Sequence, residues 1–279
     1  MSIWCHLRAY FSLGLFVLAC STQTAYADEP QELRVISLSP SNTELVHALG
    51  AQENLVGRTS SCNFPKEAEQ ITDVGSLFPP DYERIASLNP TLILMSDGNV
   101  SVRDHLQHLG FRVLVIHPKS VVDVVDSIVS IGRALGRSTE AKRLSTDFKK
   151  RLEQVRQIGR SGLKTFYEVW HKPFMIPGHK TFLADLLRRA GAQPIGQSMS
   201  GDWPTVEREW LIIQQPEVIL VKSKARQQFY LNSRIWQHTP AVKKAQVYVI
   251  PNEDEFLRPT PRLINALVWL QEKLTAHSK

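Results

Sequence analysis

Thr43-Glu44-Leu45-Val46-His47-Ala48-Leu49-Gly50-Ala51-Gln52, closing in Val56-Gly57, is restated later in the chain. The second version reads Thr181-Phe182-Leu183-Ala184-Asp185-Leu186-Leu187-Arg188-Arg189-Ala190-Gly191-Ala192-Gln193 and closes in Ile195-Gly196. The echo continues outward. Tyr82-Glu83-Arg84-Ile85 leads to Asn89-Pro90 and the apolar run Leu92 to Met95; Arg208-Glu209-Trp210-Leu211 leads to Gln215-Pro216 and Val218 to Val221. Glu83 and Glu209 each stand seven residues before their proline. Two similar α/β units in one chain predict two lobes with a cleft between them, the kind of place where small ligands bind.

The local patterns fill in the units. Leu33 to Leu38 has the short apolar character of a buried parallel strand, and Ser39-Pro40 breaks it. Ser41-Asn42-Thr43-Glu44 reads as a capping box, with Glu44 reaching back to Ser41. Leu45, Val46 and Leu49 make the buried stripe, and Gly50 ends the helix. Alternation continues: helix from Asp81 to Leu88, strand Leu92 to Met95, helix Val102 to Leu109, strand Val113 to Ile116. Such alternation argues for a mostly parallel sheet. Val121 to Leu135 and Glu140 to Ile158 carry no strand between them and are interrupted at Gly136. The second is amphipathic through Leu144, Phe148, Leu152 and Val155, and its place between the repeats predicts a rigid helical connector. The pattern then restarts: strand from Lys164, helix Thr181 to Arg189, helix Val206 to Ile213, strand Val218 to Val221, helix Ala225 to Trp236, strand Val247 to Ile250, closing helix Pro261 to Leu274. The expected layout is an N-terminal lobe over 33–120, a helical segment with the connector over 121–160, and a C-terminal lobe over 161–279.

A length of 279 residues holds two domains of ordinary size, and 43% hydrophobic with 22% charged residues is a globular composition. The net charge is +6, but Lys149-Lys150-Arg151 and Arg188-Arg189 lie on expected helices and read as solvated faces, so no nucleic-acid partner is implied. Ala9 to Ala19 is apolar, too short to span a bilayer, and precedes Ala25-Tyr26-Ala27, a small-residue cleavage pattern. Residues 1–27 therefore read as a signal peptide for export to the periplasm. Val17-Leu18-Ala19-Cys20 keeps open a lipoprotein anchored at Cys20. Cleavage after Ala27 leaves Cys62 alone, so the core rather than a disulfide must supply stability. The chain carries no Gly-x-Ser-x-Gly elbow, Walker loop, Gly-x-Gly-x-x-Gly or His-Glu-x-x-His. No catalytic residue, cofactor or resident metal is expected, and an exported metal-dependent hydrolase is a remote alternative.

Arg34-Val35-Ile36-Ser37-Leu38-Ser39-Pro40-Ser41-Asn42-Thr43-Glu44-Leu45, Glu83-Arg84-Ile85 with Asn89-Pro90, Trp203-Pro204 before Glu209, and Arg258 with Pro261-Arg262 resemble a known family. It is the substrate-binding proteins of ABC importers for vitamin B12, iron siderophores or haem. The resemblance runs from about Leu33 to the C-terminus. It implies the class III periplasmic binding protein fold: two Rossmann-like lobes with mostly parallel sheets, joined by a single long helix, with the ligand in the cleft. It implies a monomer with a small-molecule ligand and an ABC permease dimer of the inner membrane as partners. By motif, Glu83 and Glu209 are the glutamates that dock into permease arginines, where a charge-assisted pair fixes orientation.

The cleft should be lined by loops at the carboxyl ends of the strands: Ser39 to Asn42, Arg58 to Phe64, Leu77-Phe78, Asp97 to Asn99, His171 to Phe174, Asp202-Trp203, Lys222-Ser223 and Asp254 to Arg258. The expected ligand contacts are Ser61, Phe64, Leu77, Phe78, His171, Trp203, Asp254, Phe256 and Arg258. By resemblance, Trp203 packs on a corrin and the Asp254 to Arg258 loop touches it. Ser61 stands where the corrinoid-binding members have a tyrosine, Leu77 and Met95 where they have tryptophans, and Ala190 at a position of their disulfide. A corrinoid is the first reading. A ferric siderophore is the second, since Arg58, Lys172, Lys222 and Arg258 could hold an anionic complex. Haem is the third; the family's haem carriers tend to use a tyrosine ligand, and no cleft tyrosine stands out. Cys62, His171 and His179 are further candidates for a metal centre. His105 and His108 read as an exposed helix face, and Trp170, Trp210, Trp236 and Trp269 as core.

Overall fold

The repeat is a repeat of topology. The computed structural model describes residues 32–97, 99–156 and 162–275. The signal peptide with its Cys20 alternative, and the last two residues of the helix expected to run to Ile158, lie outside the described residues. In the N-terminal half, β1 (Val35–Ser37), α1 (Pro40–Ala48), β2 (Leu55–Arg58), α2 (Tyr82–Ser87), β3 (Leu92–Ser96), α3 (Val100–His108) and β4 (Val113–Ile116) build a parallel sheet in the order β2-β1-β3-β4. Two helices follow, α4 (Val124–Ala134) and α5 (Ser138–Arg156). The C-terminal half then lays down β5 (Lys164–Tyr167), β6 (Trp170–His171), β7 (Phe174–Met175), α6 (Phe182–Arg189), β8 (Gln193–Pro194) and β9 (Thr205–Val206). It ends with α7 (Arg208–Ile213), β10 (Val218–Val221), α8 (Lys224–Leu231), α9 (Pro240–Lys243), β11 (Val247–Val249), α10 (Glu253–Leu257) and α11 (Leu263–Thr275). Its parallel sheet runs β8-β5-β10-β11. Both sheets thus place their strands in the same sequence: second, first, third, fourth.

The correspondence reaches single bonds. Asn89 and Gln215, each just before its proline, adopt φ of 45° and 50°, the left-handed region that side chains rarely enter. Beyond each turn the incoming strand is gripped alike: Thr91 donates its N–H to the Arg34 carbonyl at 2.8 Å, and Glu217 donates to Lys164 at 2.8 Å. Arg34 Nε donates back to the Leu88 carbonyl at 3.0 Å, as Lys164 Nζ does to that of Gln214 at 3.4 Å. Gly50 (φ 67°) and Gly191 (φ 94°) close equivalent helices, a conformation that a Cβ penalises.

The halves differ in what they add. The C-terminal half carries a small antiparallel sheet, β6-β7-β9, without a counterpart among the described N-terminal residues. Beneath it lies an aromatic cluster. Phe166 stacks on Trp236 at 6.0 Å, and Tyr230 meets Trp236 edge-on at 4.8 Å. Glu168, buried in the same half, accepts from Arg226 Nε and Nη2 at 2.8 and 2.6 Å and from the Tyr230 hydroxyl. Burial, then the Glu168 charge, holds the Tyr230 hydroxyl well above the usual phenol range.

Each half has a core of its own, Ile36, Ile85, Met95 and Leu106 in the first, Phe166, Ile219, Tyr230 and Trp236 in the second. A third cluster belongs to both, running from Leu45 and Leu92 through Ile128 and Phe148 to Leu186 and Leu267. The helices between the repeats carry it. Before α4, the Val121 N–H donates to Asp185 Oδ2 of α6 at 2.8 Å; after α4, Arg137 pairs with Glu53 of the N-terminal half at 2.5 Å. The 19-residue α5, about 28 Å long, then returns, and near its end the Val155 carbonyl accepts from Gln271 of α11 at 2.9 Å. The pair packs so closely that a Cβ on Gly132 would collide with that of Ala141. No helix of the described residues is long and apolar enough to cross a membrane.

One local expectation is corrected. Helix α1 starts two residues earlier than a Ser41 cap implies: Pro40 takes the first helical position, which its fixed φ favours, and Ser39 is the cap. Glu44 is then too deep in the helix to reach back. It is buried and turned to the other half of the molecule.

Candidate functional site

A cavity of about 690 Å³ lies where strand ends of the first half meet loops and helix ends of the second. The N-terminal half supplies Ser39 to Ser41 after β1, Ser96 and Asp97 at the end of β3, and Ile116 to Lys119 at the end of β4. The C-terminal half supplies Lys180 to Phe182 at the start of α6, Asp202 and Trp203 before β9, and Leu257 to Pro259 at the end of α10. This is the position that open parallel sheets reserve for ligands, outside the carboxyl ends of their strands.

Trp203 and Phe182 bring aromatic rings to the cavity, and Trp203 has 46% of its area exposed. A large flat ring offers contact area at little cost in side-chain entropy. Around it stand Asp97, Lys119, Lys180, Asp202 and Arg258. His117 also faces the cavity, with Nδ1 3.3 Å from Asp97 Oδ2.

Arg258 connects the cavity to the frame. Its Nη1 donates to Glu44 at 2.9 Å and its Nη2 lies 3.0 Å from Asp254. Glu44 accepts four bonds in all. Arg262 donates from Nε and Nη2 at 2.9 and 2.7 Å, and the Thr260 hydroxyl at 3.1 Å. Burial alone would push the Arg262 guanidinium down; the Glu44 hydrogen bonds and charge more than offset it and leave it raised. One carboxylate from α1 is therefore clasped by two arginines and a threonine from the far end of the chain.

The expected ligand contacts separate into groups. Trp203 and Arg258 line the cavity. Asp254 acts one step behind, on Arg258. Phe64 lies under the Arg262 guanidinium, 3.5 Å from its ring centroid, so it packs on the clasp. Leu77 packs against the N-terminal core, while Ser61 and Phe78 are exposed in the segment between β2 and α2. His171 sits in the β6-β7 ribbon opposite Phe174. None of these five is among the cavity-lining residues. Phe256 is corrected outright: it is fully buried between Tyr167 and Trp269, at 5.9 Å from each ring. In helix α10, positions 254 and 258 share a face and 256 points nearly opposite.

Three of the four proposed cations are already engaged, Arg258 by Glu44 and Asp254 as described. Arg58 is 8% exposed and donates to the carbonyls of Thr59, Ala68 and Glu69. Lys222 pairs with Glu253 at 2.5 Å. Cys62 is buried against Thr59, and His179 contacts the Met199 carbonyl at 3.4 Å. Trp170, expected in the core, is 54% exposed and donates to the Lys172 carbonyl at 3.1 Å. Among the lining residues that sequence reasoning missed are His117, Lys119, Lys180 and Phe182. The strand-end rule that selected Asp97 after β3 would have selected His117 and Lys119 had it been applied to β4.

Glu83 and Glu209 occupy matching positions in the first turns of α2 and α7, both exposed. They differ in surroundings: Glu209 accepts from Arg208 at 2.7 and 3.1 Å, and that hydrogen bond draws its carboxyl below the usual range.

Residues 35–253 match the family model described as periplasmic binding protein. The vitamin B12-binding protein of Photorhabdus laumondii is 27% identical over 272 residues, covering 96% of this chain and 97% of that protein. Among solved structures, the periplasmic vitamin B12 binding protein BtuF of Vibrio cholerae superposes with a TM-score of 0.81 at 25% identity, over 88% of this chain and 98% of that one. The periplasmic heme-binding protein RhuT from Roseiflexus sp. RS-1 shares the fold with a TM-score of 0.78 at 22% identity, over 89% of this chain and all of that one. With duplicated parallel sheets, a helical connection and a cavity where the halves meet, the chain belongs to the periplasmic binding protein family.

Proposed function

We propose that the chain is the substrate-binding component of an ABC importer that captures a corrinoid in the periplasm and delivers it to a membrane permease. The observation that carries this reading is the cavity itself. It is walled by both halves, faced by the exposed ring of Trp203 and edged with charges, as a broad amphipathic ligand requires. Relatives named for vitamin B12 binding support the choice of ligand. In this reading 33–120 and 161–279 act as lobes, 121–160 holds them together, and the leader over 1–27, or a lipid on Cys20, places the protein outside the inner membrane. The chain works as a monomer and makes or breaks no covalent bond in its ligand. Glu83 and Glu209, one per half, set the loaded protein on permease arginines.

A ferric siderophore or haem is the second reading, favoured by Lys119 and Lys180, which bring two cationic side chains to the cavity. Calorimetric titration with cyanocobalamin, cobinamide and a panel of ferric siderophores separates them. One-to-one binding of a corrinoid is expected; heat only with a ferric complex moves the protein to iron acquisition. Glu83→Ala with Glu209→Ala should leave ligand affinity intact and abolish uptake in cells. Undiminished uptake by that double variant removes the docking assignment.

A further inference from the structure

Strands β3 and β4 run parallel, with Ser96 beside Ile116 at the last paired position. The next residue on each strand is polar, Asp97 on one and His117 on the other, and parallel register brings them side by side at the cavity wall. His117 Nδ1 lies 3.3 Å from Asp97 Oδ2. In the neutral ring, a carboxylate beside Nδ1 favours the tautomer with the proton on Nδ1 and the lone pair on Nε2. This is how proteins hold a histidine that binds a metal.

The chemistry narrows the ligand. Among the described residues, no group of three or more His, Cys, Asp or Glu side chains is placed to hold a metal ion. His117 is the one imidazole of the cavity lining. A single side-chain donor does not hold a bare ion, which needs a convergent set. A macrocycle that brings its own four in-plane nitrogens leaves only axial positions open, and there one imidazole is enough.

We propose that His117, oriented by Asp97, is an axial ligand to the metal of a planar tetrapyrrole-type macrocycle bound in this cavity. The inference rests on the reading of this cavity as the binding site of an imported ligand and, where that ligand is a corrinoid, gives it a contact at the metal. The step is a ligand exchange. The Nε2 lone pair forms the new bond to the metal, and a bound water leaves with the electron pair it had donated. No electron is transferred and the Nδ1 proton stays with the Asp97 pair.

The test is the absorption spectrum of diaquocobinamide, which lacks a lower base, titrated with purified protein, and of haemin titrated in parallel. The wild-type chain should shift the bands of cobinamide at one equivalent. His117→Ala should bind without the shift, and added free imidazole should restore it. Asp97→Asn should keep the shift but lower affinity roughly 10- to 100-fold, the usual effect of losing an orienting partner. Far-ultraviolet circular dichroism of both variants guards against misfolding. Cobinamide binding with an unshifted spectrum overturns the inference and leaves the corrinoid reading standing. A shift with haemin alone, lost in His117→Ala, keeps the inference and overturns the corrinoid. A shift with neither compound, or one that survives in His117→Ala, overturns the assignment of His117.

Discussion

The two halves share a strand order and part company at their ends. In both, a left-handed residue precedes a proline, a basic side chain caps the preceding helix, and a parallel strand enters the same slot. What differs is attached to the frame: a clasped carboxylate facing across the molecule in the first half, an aromatic cluster and a small antiparallel sheet in the second. Duplication preserves what backbone geometry requires and frees the loops to differ, and the cavity is built from the loops.

The largest test of this contrast sets two buried carboxylates against each other. Glu44 joins the halves, whereas Glu168 serves only the second. Removing either should cost about 3 kcal/mol in urea unfolding, because it strands partly buried arginines without their carboxylate. Only Glu44→Ala should also weaken ligand binding, since its partner Arg258 lines the cavity. Equal loss of binding in Glu168→Ala would erase the distinction. Next in size is Trp203. Its replacement by alanine should cost about 2 kcal/mol of binding, roughly 30-fold in Kd, with stability unchanged. Phe78→Ala, on an exposed ring of the first half, should leave titration calorimetry unmoved.

A finer test addresses the repeat. Gln is a poor left-handed residue and Asn a tolerable one. Gln215→Gly should therefore stabilise by about 0.5 kcal/mol, the relief of strain less the freedom added to the unfolded chain. Asn89→Gly should lie near zero, and thermal melts of the pair measure the difference. The smallest effect concerns Glu209. Its lowered pKa means that any stabilisation by Arg208 exists above the unfolded value and fades as pH falls through the folded one. In Arg208→Ala, the carboxyl followed by NMR should titrate back in the ordinary range, with the fold unaffected.

Much of the frame was legible in the sequence. Val113 to Ile116 and Val218 to Val221 were expected as strands and are strands residue for residue, because continuous apolar runs between turn signals have few other uses. Thr181 was expected at the start of its helix and caps it, accepting from the Ala184 N–H at 3.2 Å. The site was read less well. The two-residue strands β6, β7 and β9 are too short to show a period. Glu44 looked like a local cap because its true partners, Arg258 and Arg262, lie 214 and 218 positions away. Asp97 and His117 became neighbours only through strand register, which no local motif encodes.

Two helices packed side by side span the halves, fused where Gly132 admits Ala141, and the Glu44 clasp adds a second fastening away from them. A lone crossing would leave an axis to swivel about; this arrangement removes it. The cavity therefore has little orientational freedom left to surrender when a guest arrives. On the proposed function, selectivity would then rest on shape, a guest of the wrong outline being refused for want of a cheap way to reshape the walls.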